Sequence, residues 1–191
     1  FSPSGDTLWL RLSPEDEEAY LARVEWDRDG TLLVQVQSRD QGTLRLLRFN
    51  PEAGTSATLF EDRPGAWINL HQDLRPLQDG RFLWSGEASG FRHLELRASD
   101  GSLIRRLTSG DWPVDRLEGV DEAGRFAYFT AAKDGPLQRQ LYRVRLEGGA
   151  VEKITSEVGW HDTTFSGDGR WFVDIQQSAG TPPRASLRER S

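Results

Sequence analysis

The chain has 191 residues, and its 24 Lys and Arg against 30 Asp and Glu give a formal net charge of −6. This balance argues against a general nucleic-acid-binding protein, which needs a basic surface to replace the counterions of the phosphates. The absence of cysteine excludes disulfides and thiolate metal sites, and no apolar run approaches the roughly 18 residues of a membrane span. No signal peptide is expected in the first residues, which lack a basic start and an apolar stretch.

The first stretch of the chain, residues 1–18, is interpreted as the remnant of a repeat unit. Residues 1–5 match the later turn at 165–169, and residues 7–12 are predicted to be the strand that follows it. The opening strand of the next unit then arrives much sooner than in the later units. We therefore expect two strands to be missing after Leu12.

A repeat of 44–50 residues runs through the rest of the chain. Four glycines mark it: Gly30, Gly80, Gly124 and Gly169. Each follows an acidic or small residue and precedes an apolar segment. This is a hairpin signal, because glycine accepts the positive φ that a type I′ turn demands.

Two further features keep the same period. Thr108 lies in the sequence RLTS, and Thr155 lies in the matching sequence KITS, 47 residues later. Trp67, Trp112 and Trp160 each stand near the start of a unit, and we interpret the tryptophans as packing between units. Four short strands per unit of this length are typical of propeller blades. A β-sandwich with evenly spaced hairpins is the alternative, but it would not repeat these residues in phase.

The predicted fold class is all-β: an incomplete β-propeller of about three whole four-stranded antiparallel blades and two partial ones. Such a set of blades cannot close a ring, so we expect exposed sheet edges at both ends. The predicted units are residues 1–18 as the remnant of a truncated blade, 19–63, 64–110 and 111–156 as blades, and 157–191 as a partial blade.

Five segments are in register with the repeat: residues 20–26 (YLARVEW), 87–94 (EASGFRHL), 107–114 (LTSGDWPV), 141–144 (LYRV) and 178–183 (SAGTPP). Together they resemble the dipeptidyl peptidase IV family of the prolyl oligopeptidase clan. The resemblance implies a propeller followed by an α/β-hydrolase domain, in a parent enzyme that removes X-Pro or X-Ala dipeptides from peptide N-termini. The implied partners are the peptide substrate, the C-terminal α/β-hydrolase domain that this sequence lacks, and a second copy in a homodimer.

We expect no catalytic residue in this chain. The nucleophile of such enzymes lies in a Gly-x-Ser-x-Gly elbow, and the nearest match, GEASG at 86–90, has its serine one position late. Without the elbow there is neither an exposed hydroxyl nor an oxyanion hole. No cofactor is expected either, and the spacing of His71, His93 and His161 does not suit a metal site.

Two adjacent glutamates bind the free α-amine of the substrate in this family. Glu17 and Glu18 are adjacent, but they lack the family's aromatic setting, so we interpret residues 15–18 as a solvated acidic turn. His161 next to Asp162 resembles a general base with its orienting acid, but no nucleophile accompanies the pair, and a structural role is favoured.

The stretch WINLHQD at 67–73 matches the family loop that reaches toward the substrate pocket. The resemblance therefore makes Leu70 and His71 the predicted substrate-binding residues. The family has an aromatic side chain and an arginine at these places, which this chain lacks. In the alternative interpretation, Leu70 packs in the core and His71 lies at the surface.

The first functional hypothesis is a non-catalytic propeller portion of a dipeptidyl peptidase IV-like enzyme, which shapes access of the substrate. The alternative is a stand-alone propeller-type interaction module without peptidase activity. A third is a glycan-binding propeller, which requires aromatic platforms facing one funnel. Compactness and the absence of cysteine suggest a periplasmic or cytoplasmic location in a bacterium.

Overall fold

The structure is a computed structural model that describes Gly5, residues 7–65 and residues 67–190. The expected turn at residues 1–5 lies outside the described residues, apart from Gly5. The described part of the chain forms fifteen strands and no helix. The strands are β1 Tyr20–Trp26, β2 Leu32–Gln37, β3 Leu44–Asn50, β4 Thr55–Asp62, β5 Arg75–Pro76, β6 Phe82–Gly86, β7 His93–Arg97, β8 Leu103–Arg106, β9 Val114–Asp121, β10 Phe126–Ala131, β11 Gln140–Arg145, β12 Glu152–Lys153, β13 Trp160–Phe165, β14 Trp171–Ser178 and β15 Thr181–Glu189.

The strands form four antiparallel sheets in which chain neighbours pair with each other. Three sheets have four strands, in the orders β1-β2-β3-β4, β5-β6-β7-β8 and β9-β10-β11-β12, and the fourth has the order β13-β14-β15. The predicted all-β class with repeated four-stranded antiparallel units is therefore confirmed.

The predicted strand at residues 7–12 is wrong. Residues 7–19 contain no strand. Leu10 and Leu12 instead pack against a cluster of buried side chains on β2 and β3 that includes Val34 and Phe49.

The chain divides into two compact units, which are described separately. The first unit runs to residue 70 and includes residues 99–102, and the second comprises residues 71–98 and 103 onward. The first unit contains β1–β4 and the second contains β5–β15. The finer division into blades at 19–63, 64–110, 111–156 and 157–191 stays a prediction.

In the first unit, the two central strands of the sheet are buried on both faces. Val34 and Leu47 point to one face, Leu33 and Leu46 point to the other, and none is more than 3% exposed. The outer strands β1 and β4 are largely exposed. Burying a side chain of this size stabilises the fold by about 1.5–3 kcal/mol, so β2 and β3 provide most of the core of this unit.

In the second unit, apolar clusters join each sheet to the next one along the chain. Phe129 lies at the centre of the larger cluster, with its ring centroid 6.3 Å from Trp112 and 5.8 Å from Tyr142. A smaller cluster of Tyr128, Leu141 and Phe172 joins the sheet of β9–β12 to the sheet of β13–β15. Large aromatic rings thus fill the space between neighbouring sheets.

The interpretation of the tryptophans as packing residues is correct for only part of the set. Trp84 is fully buried and Trp112 packs against the larger cluster. Trp26, Trp67 and Trp160, by contrast, are 64%, 67% and 41% exposed. The period placed Trp67 and Trp160 in register, but it carries no information on which side chains the fold covers.

The four turn glycines do not all act in the same way. Three have the positive φ that the turn signal predicts, between 65° and 84°, but Gly124 does not, and Arg125 has a φ of 60° instead. A Cβ at 124 would lie 2.3 Å from Oδ2 of Asp121 and would displace this carboxylate, whose other oxygen accepts the N–H of Gly124. The third turn is therefore shifted by one residue, and Arg125 occupies the left-handed region that non-glycine residues rarely adopt.

The hydrogen bonds of Thr155 give a structural reason for the second copy of the repeated Leu/Ile-Thr-Ser sequence. Its buried hydroxyl accepts the backbone N–H of Leu141 at 2.9 Å and donates to Oε1 of Gln140 at 2.6 Å. The amide of Gln140 then donates to the carbonyl oxygen of Glu157 at 2.9 Å. One hydroxyl thus pairs a backbone donor and a side-chain acceptor in β11, an arrangement that we call a threonine bridge.

Thr108 forms the equivalent threonine bridge one repeat earlier. Its hydroxyl accepts the N–H of Leu94 at 2.9 Å and lies 3.0 Å from Nδ1 of His93. The other ring nitrogen, Nε2, lies 2.9 Å from the carbonyl oxygen of Gly110 and must donate to it. Nδ1 is thereby left to accept the proton of the threonine hydroxyl, so His93 takes the place that Gln140 has in the next repeat.

The first prediction concerns Thr155→Val, which keeps the shape of the side chain and removes the hydroxyl. The N–H of Leu141 and the amide oxygen of Gln140 then stay buried without partners. We expect the free energy of unfolding in urea to fall by about 1–3 kcal/mol.

Thr155→Ser is the matched control, because it keeps the hydroxyl and loses only one methyl group, worth about 0.8 kcal/mol. Equal losses for the two variants would contradict the assigned role of the hydroxyl.

Candidate functional site

Leu70 and His71, the predicted substrate-binding residues, lie in different surroundings. Leu70 is the last residue of the first unit's main segment and is 37% exposed, whereas His71 opens the second unit and is only 7% exposed. The alternative interpretation, a packed Leu70 and a surface His71, is therefore wrong for both residues. That either one contacts a substrate stays a prediction.

His71 is held by the second unit. Its ring packs edge-on against Trp84 of β6, with centroids 4.5 Å apart and planes at 70°. Nδ1 of the ring accepts the backbone N–H of Asp73 at 3.2 Å. This bond assigns the ring proton to Nε2 and fixes the rotation of the imidazole.

Asp73 is a buried carboxylate that was not among the site residues predicted from the sequence. It is 1% exposed, and its two oxygens have different partners. Oδ2 accepts the hydroxyl of Ser85 in β6 at 2.7 Å, and Oδ1 accepts the N–H of Leu117 in β9 at 2.8 Å. The sequence did contain a signal for Asp73: it is an acidic residue two positions after His71, and an acid at such a place can hold the loop through hydrogen bonds.

A charged cluster joins the first strands of the last two sheets, β9 and β13. Arg139, whose side chain is 12% exposed, contacts Asp115 at 2.9 Å and Asp162 at 2.8 Å. Its guanidinium also lies over the ring of Trp160, 4.9 Å from the centroid. The contacts of Arg139 to both carboxylates place Asp115 and Asp162 near each other on neighbouring strands.

Arg116 of β9 extends this cluster. It contacts Asp162 at 3.1 Å and Glu118 at 3.0 Å, and Glu118 also accepts the hydroxyl of Thr130 at 2.9 Å. Burial raises the pKa of Glu118 above its usual value, although the bonds from Arg116 and Thr130 act in the opposite direction. The cluster therefore contains a carboxylate that is costly to keep charged, and Arg116 supplies its countercharge.

His161 does not pair with its sequence neighbour Asp162. Successive residues of a strand point to opposite faces of the sheet, so Asp162 faces the arginines while His161 points into the interior and is fully buried. Its partner is Asp174 of β14, which is also fully buried, at 2.8 Å from Nδ1. Nε2 lies 2.9 Å from the carbonyl oxygen of Glu157.

The surroundings of His161 favour its charged form. Both ring nitrogens face oxygens that can only accept, so both must donate. Burial by itself lowers the pKa of His161, but the bonds to Asp174 and to the carbonyl of Glu157 outweigh it and hold the pKa above the usual 6.5. Arg188 completes the group: it lies 3.1 Å from Asp174 and lowers the pKa of Glu157 to about 2.

The second prediction follows from the raised pKa of His161. The unfolded chain releases this proton near pH 6.5 and the folded chain at higher pH, so the stabilisation is complete below pH 6.5. It is lost as the pH rises through the folded pKa. We expect the difference in unfolding free energy between the wild type and His161→Gln, measured in urea, to shrink as the pH rises from 6 to 9.

Asp162→Asn serves as the control, because it changes the adjacent carboxylate without touching the imidazole. Its difference from the wild type in unfolding free energy should not vary between pH 6 and 9. A constant difference for His161→Gln as well would contradict a raised pKa.

The acidic turn at residues 15–18 is only partly solvated. Glu17 and Glu18 are exposed, but Asp16 is 5% exposed and binds Arg45 at 2.6 Å. Within the described ranges, no group of three or more His, Cys, Asp or Glu residues could hold a metal ion. No helix long and apolar enough to cross a membrane occurs in the part of the chain that the structure describes.

Antiparallel meander sheets repeated along the chain, with apolar clusters between consecutive sheets in the second unit, define a protein of the β-propeller class. A family model described as "Dipeptidyl peptidase IV (DPP IV) N-terminal region" matches residues 3–183. The chain belongs to this family. The resemblance expected from the five sequence segments is thus confirmed.

The curated relatives carry names of the same kind. A probable dipeptidyl-aminopeptidase B of Aspergillus niger is 29% identical over 170 residues, which cover 80% of this chain and 19% of that protein. Another, from Emericella nidulans, is 28% identical over 189 residues, covering 91% of this chain and 21% of that protein. The chain therefore spans about a fifth of the length of these relatives.

A solved structure has the same fold. The crystal structure of Porphyromonas gingivalis dipeptidyl peptidase 4 matches with a TM-score of 0.86 and 27% sequence identity, over 93% of this chain and 26% of that chain. The fold of this chain is thus an incomplete β-propeller, as predicted.

Proposed function

We propose that this chain is the non-catalytic propeller portion of a serine exopeptidase that removes X-Pro or X-Ala dipeptides from peptide N-termini. In that enzyme the propeller shapes the access of the peptide substrate. The observation that carries the proposal is the family match over residues 3–183, which the similarity to Porphyromonas gingivalis dipeptidyl peptidase 4 supports along nearly the whole chain.

The buried polar groups support a role without catalysis. His161 and Asp174 have the geometry of a base and its orienting acid, but both are fully buried. A general base must reach the proton that it removes, within about 3 Å or through one water molecule. The printed sequence also contains no Gly-x-Ser-x-Gly elbow, so no activated serine is available to this pair.

Leu70 and His71 stay the proposed substrate-binding residues. Leu70, at 37% exposed, offers apolar surface to a ligand, which suits contact with a peptide side chain. His71 is too buried to offer much surface of its own. Its contribution is to hold the backbone beside Leu70 through the bond from Asp73 and the packing on Trp84.

The third prediction tests the proposed function. The product of the complete gene should release p-nitroanilide from Gly-Pro-p-nitroanilide, with inhibition by a serine-directed reagent, while the 191-residue chain alone should release none. No release by the complete product would contradict the proposal and favour the stand-alone interaction module. Turnover by the chain alone that survives repurification would show that the non-catalytic role is wrong.

The fourth prediction concerns Leu70 in the complete gene product. Leu70→Ser removes an apolar contact worth about 1–2 kcal/mol, so we expect KM for Gly-Pro-p-nitroanilide to rise about 5–30-fold with kcat unchanged.

Leu137→Ser is the matched control, since Leu137 is also an exposed leucine, at 88%, and lies outside the proposed site. An equal change in KM for both substitutions, or no change for Leu70→Ser, would show that Leu70 is not part of the substrate-binding site.

A further inference from the structure

The loop that begins at His71 is fixed by a single buried carboxylate. The N–H of Asp73 donates to the ring of His71 at 3.2 Å, and its carboxylate accepts from Ser85 at 2.7 Å and from Leu117 at 2.8 Å. These three bonds run to the loop itself, to β6 and to β9. One residue thus sets where this loop lies against two different sheets of the second unit.

A buried carboxylate at this place is costly unless its oxygens are paired. Moving an ionised carboxylate out of water costs several kcal/mol even after relaxation. Each oxygen of Asp73 has a donor at a short distance, and the residue is 1% exposed. If packing alone held the loop, an apolar side chain of the same size would serve without the desolvation cost. The carboxylate is therefore present for its hydrogen bonds.

The bonds of Asp73 also define the orientation of His71. The backbone N–H of Asp73 occupies Nδ1, and the carboxylate oxygen Oδ2 lies 3.9 Å from the same nitrogen. Trp84 closes one side of the ring. The imidazole therefore has one tautomer and one rotation as long as Asp73 keeps its place.

We propose that Asp73 is a positioning residue for substrate recognition. It holds the backbone and the imidazole of His71 in the position that the loop at residues 67–73 needs in order to bind the substrate. The inference rests on the proposed peptidase function. Asp73 itself is too buried to touch the substrate, so its effect is on binding, through the loop backbone at His71 and Leu70, and not on the chemical step.

The test uses the complete gene product and four variants, assayed with Gly-Pro-p-nitroanilide. Asp73→Ala removes both acceptors, and we expect KM to rise at least about 10-fold with kcat changed less than twofold. Asp73→Asn can still accept the N–H of Leu117 and donate to the Ser85 oxygen, so it should restore KM to within about threefold of the wild type. Asp168→Ala, at an exposed turn of the same unit, should change neither constant.

Ser85→Ala covers the case in which Asp73→Ala does not fold, since it removes only one of the two carboxylate bonds. We expect a KM increase of about two- to fivefold with kcat unchanged. An unchanged KM in the folded variants, or a loss of kcat that follows the loss of folded protein, would overturn the inference. A wild-type product that does not cleave the substrate would instead overturn the proposed function.

Discussion

The structure depends on the pairing of polar groups inside sheets that are buried on both faces. In β11, for example, Gln140, Leu141 and Tyr142 are all at most 1% exposed, so neither side chains nor backbone can turn to water. A buried donor or acceptor without a partner costs about 1–3 kcal/mol, which is a large part of the stability of a whole domain. The threonine bridges of Thr108 and Thr155 meet this constraint once in each of two consecutive repeats.

The same constraint accounts for the buried charges of the second unit. Asp73 and Asp174 are the most enclosed carboxylates, and each accepts donors from two different elements. Asp174 pairs with the imidazole of His161, which must be protonated. The pair resembles a catalytic dyad, but its full burial leaves it without access to a substrate. Asp73 lies in the loop that contains the proposed substrate residue His71. Asp73 and His71 are also buried, so what distinguishes the candidate site from the structural pair is the neighbouring Leu70, which is 37% exposed.

Much of the fold was predictable from the sequence because the repeat is a property of composition and spacing. The spacing of Thr108 and Thr155 reports a hydrogen bond that two consecutive repeats make in the same place, and this is why it indicated the repeated unit. Contacts between distant residues were not predictable in this way. Nothing in the sequence around His161 names Asp174 as its partner, since thirteen residues and a turn separate them. The exposure of Trp67 was equally hidden, because it depends on packing against residues that are distant in the sequence.

The threonine hydroxyls complete the hydrogen bonding of the buried strands, and amide hydrogen exchange measured by NMR tests this role of theirs. The N–H groups of Leu94 and Leu141 donate to the hydroxyls of Thr108 and Thr155 in buried surroundings. Both should therefore exchange only on global unfolding, among the slowest amides of the chain. Exchange as fast as that of the exposed Gly167 would show that these bonds are not formed and that the hydroxyls do not have this role.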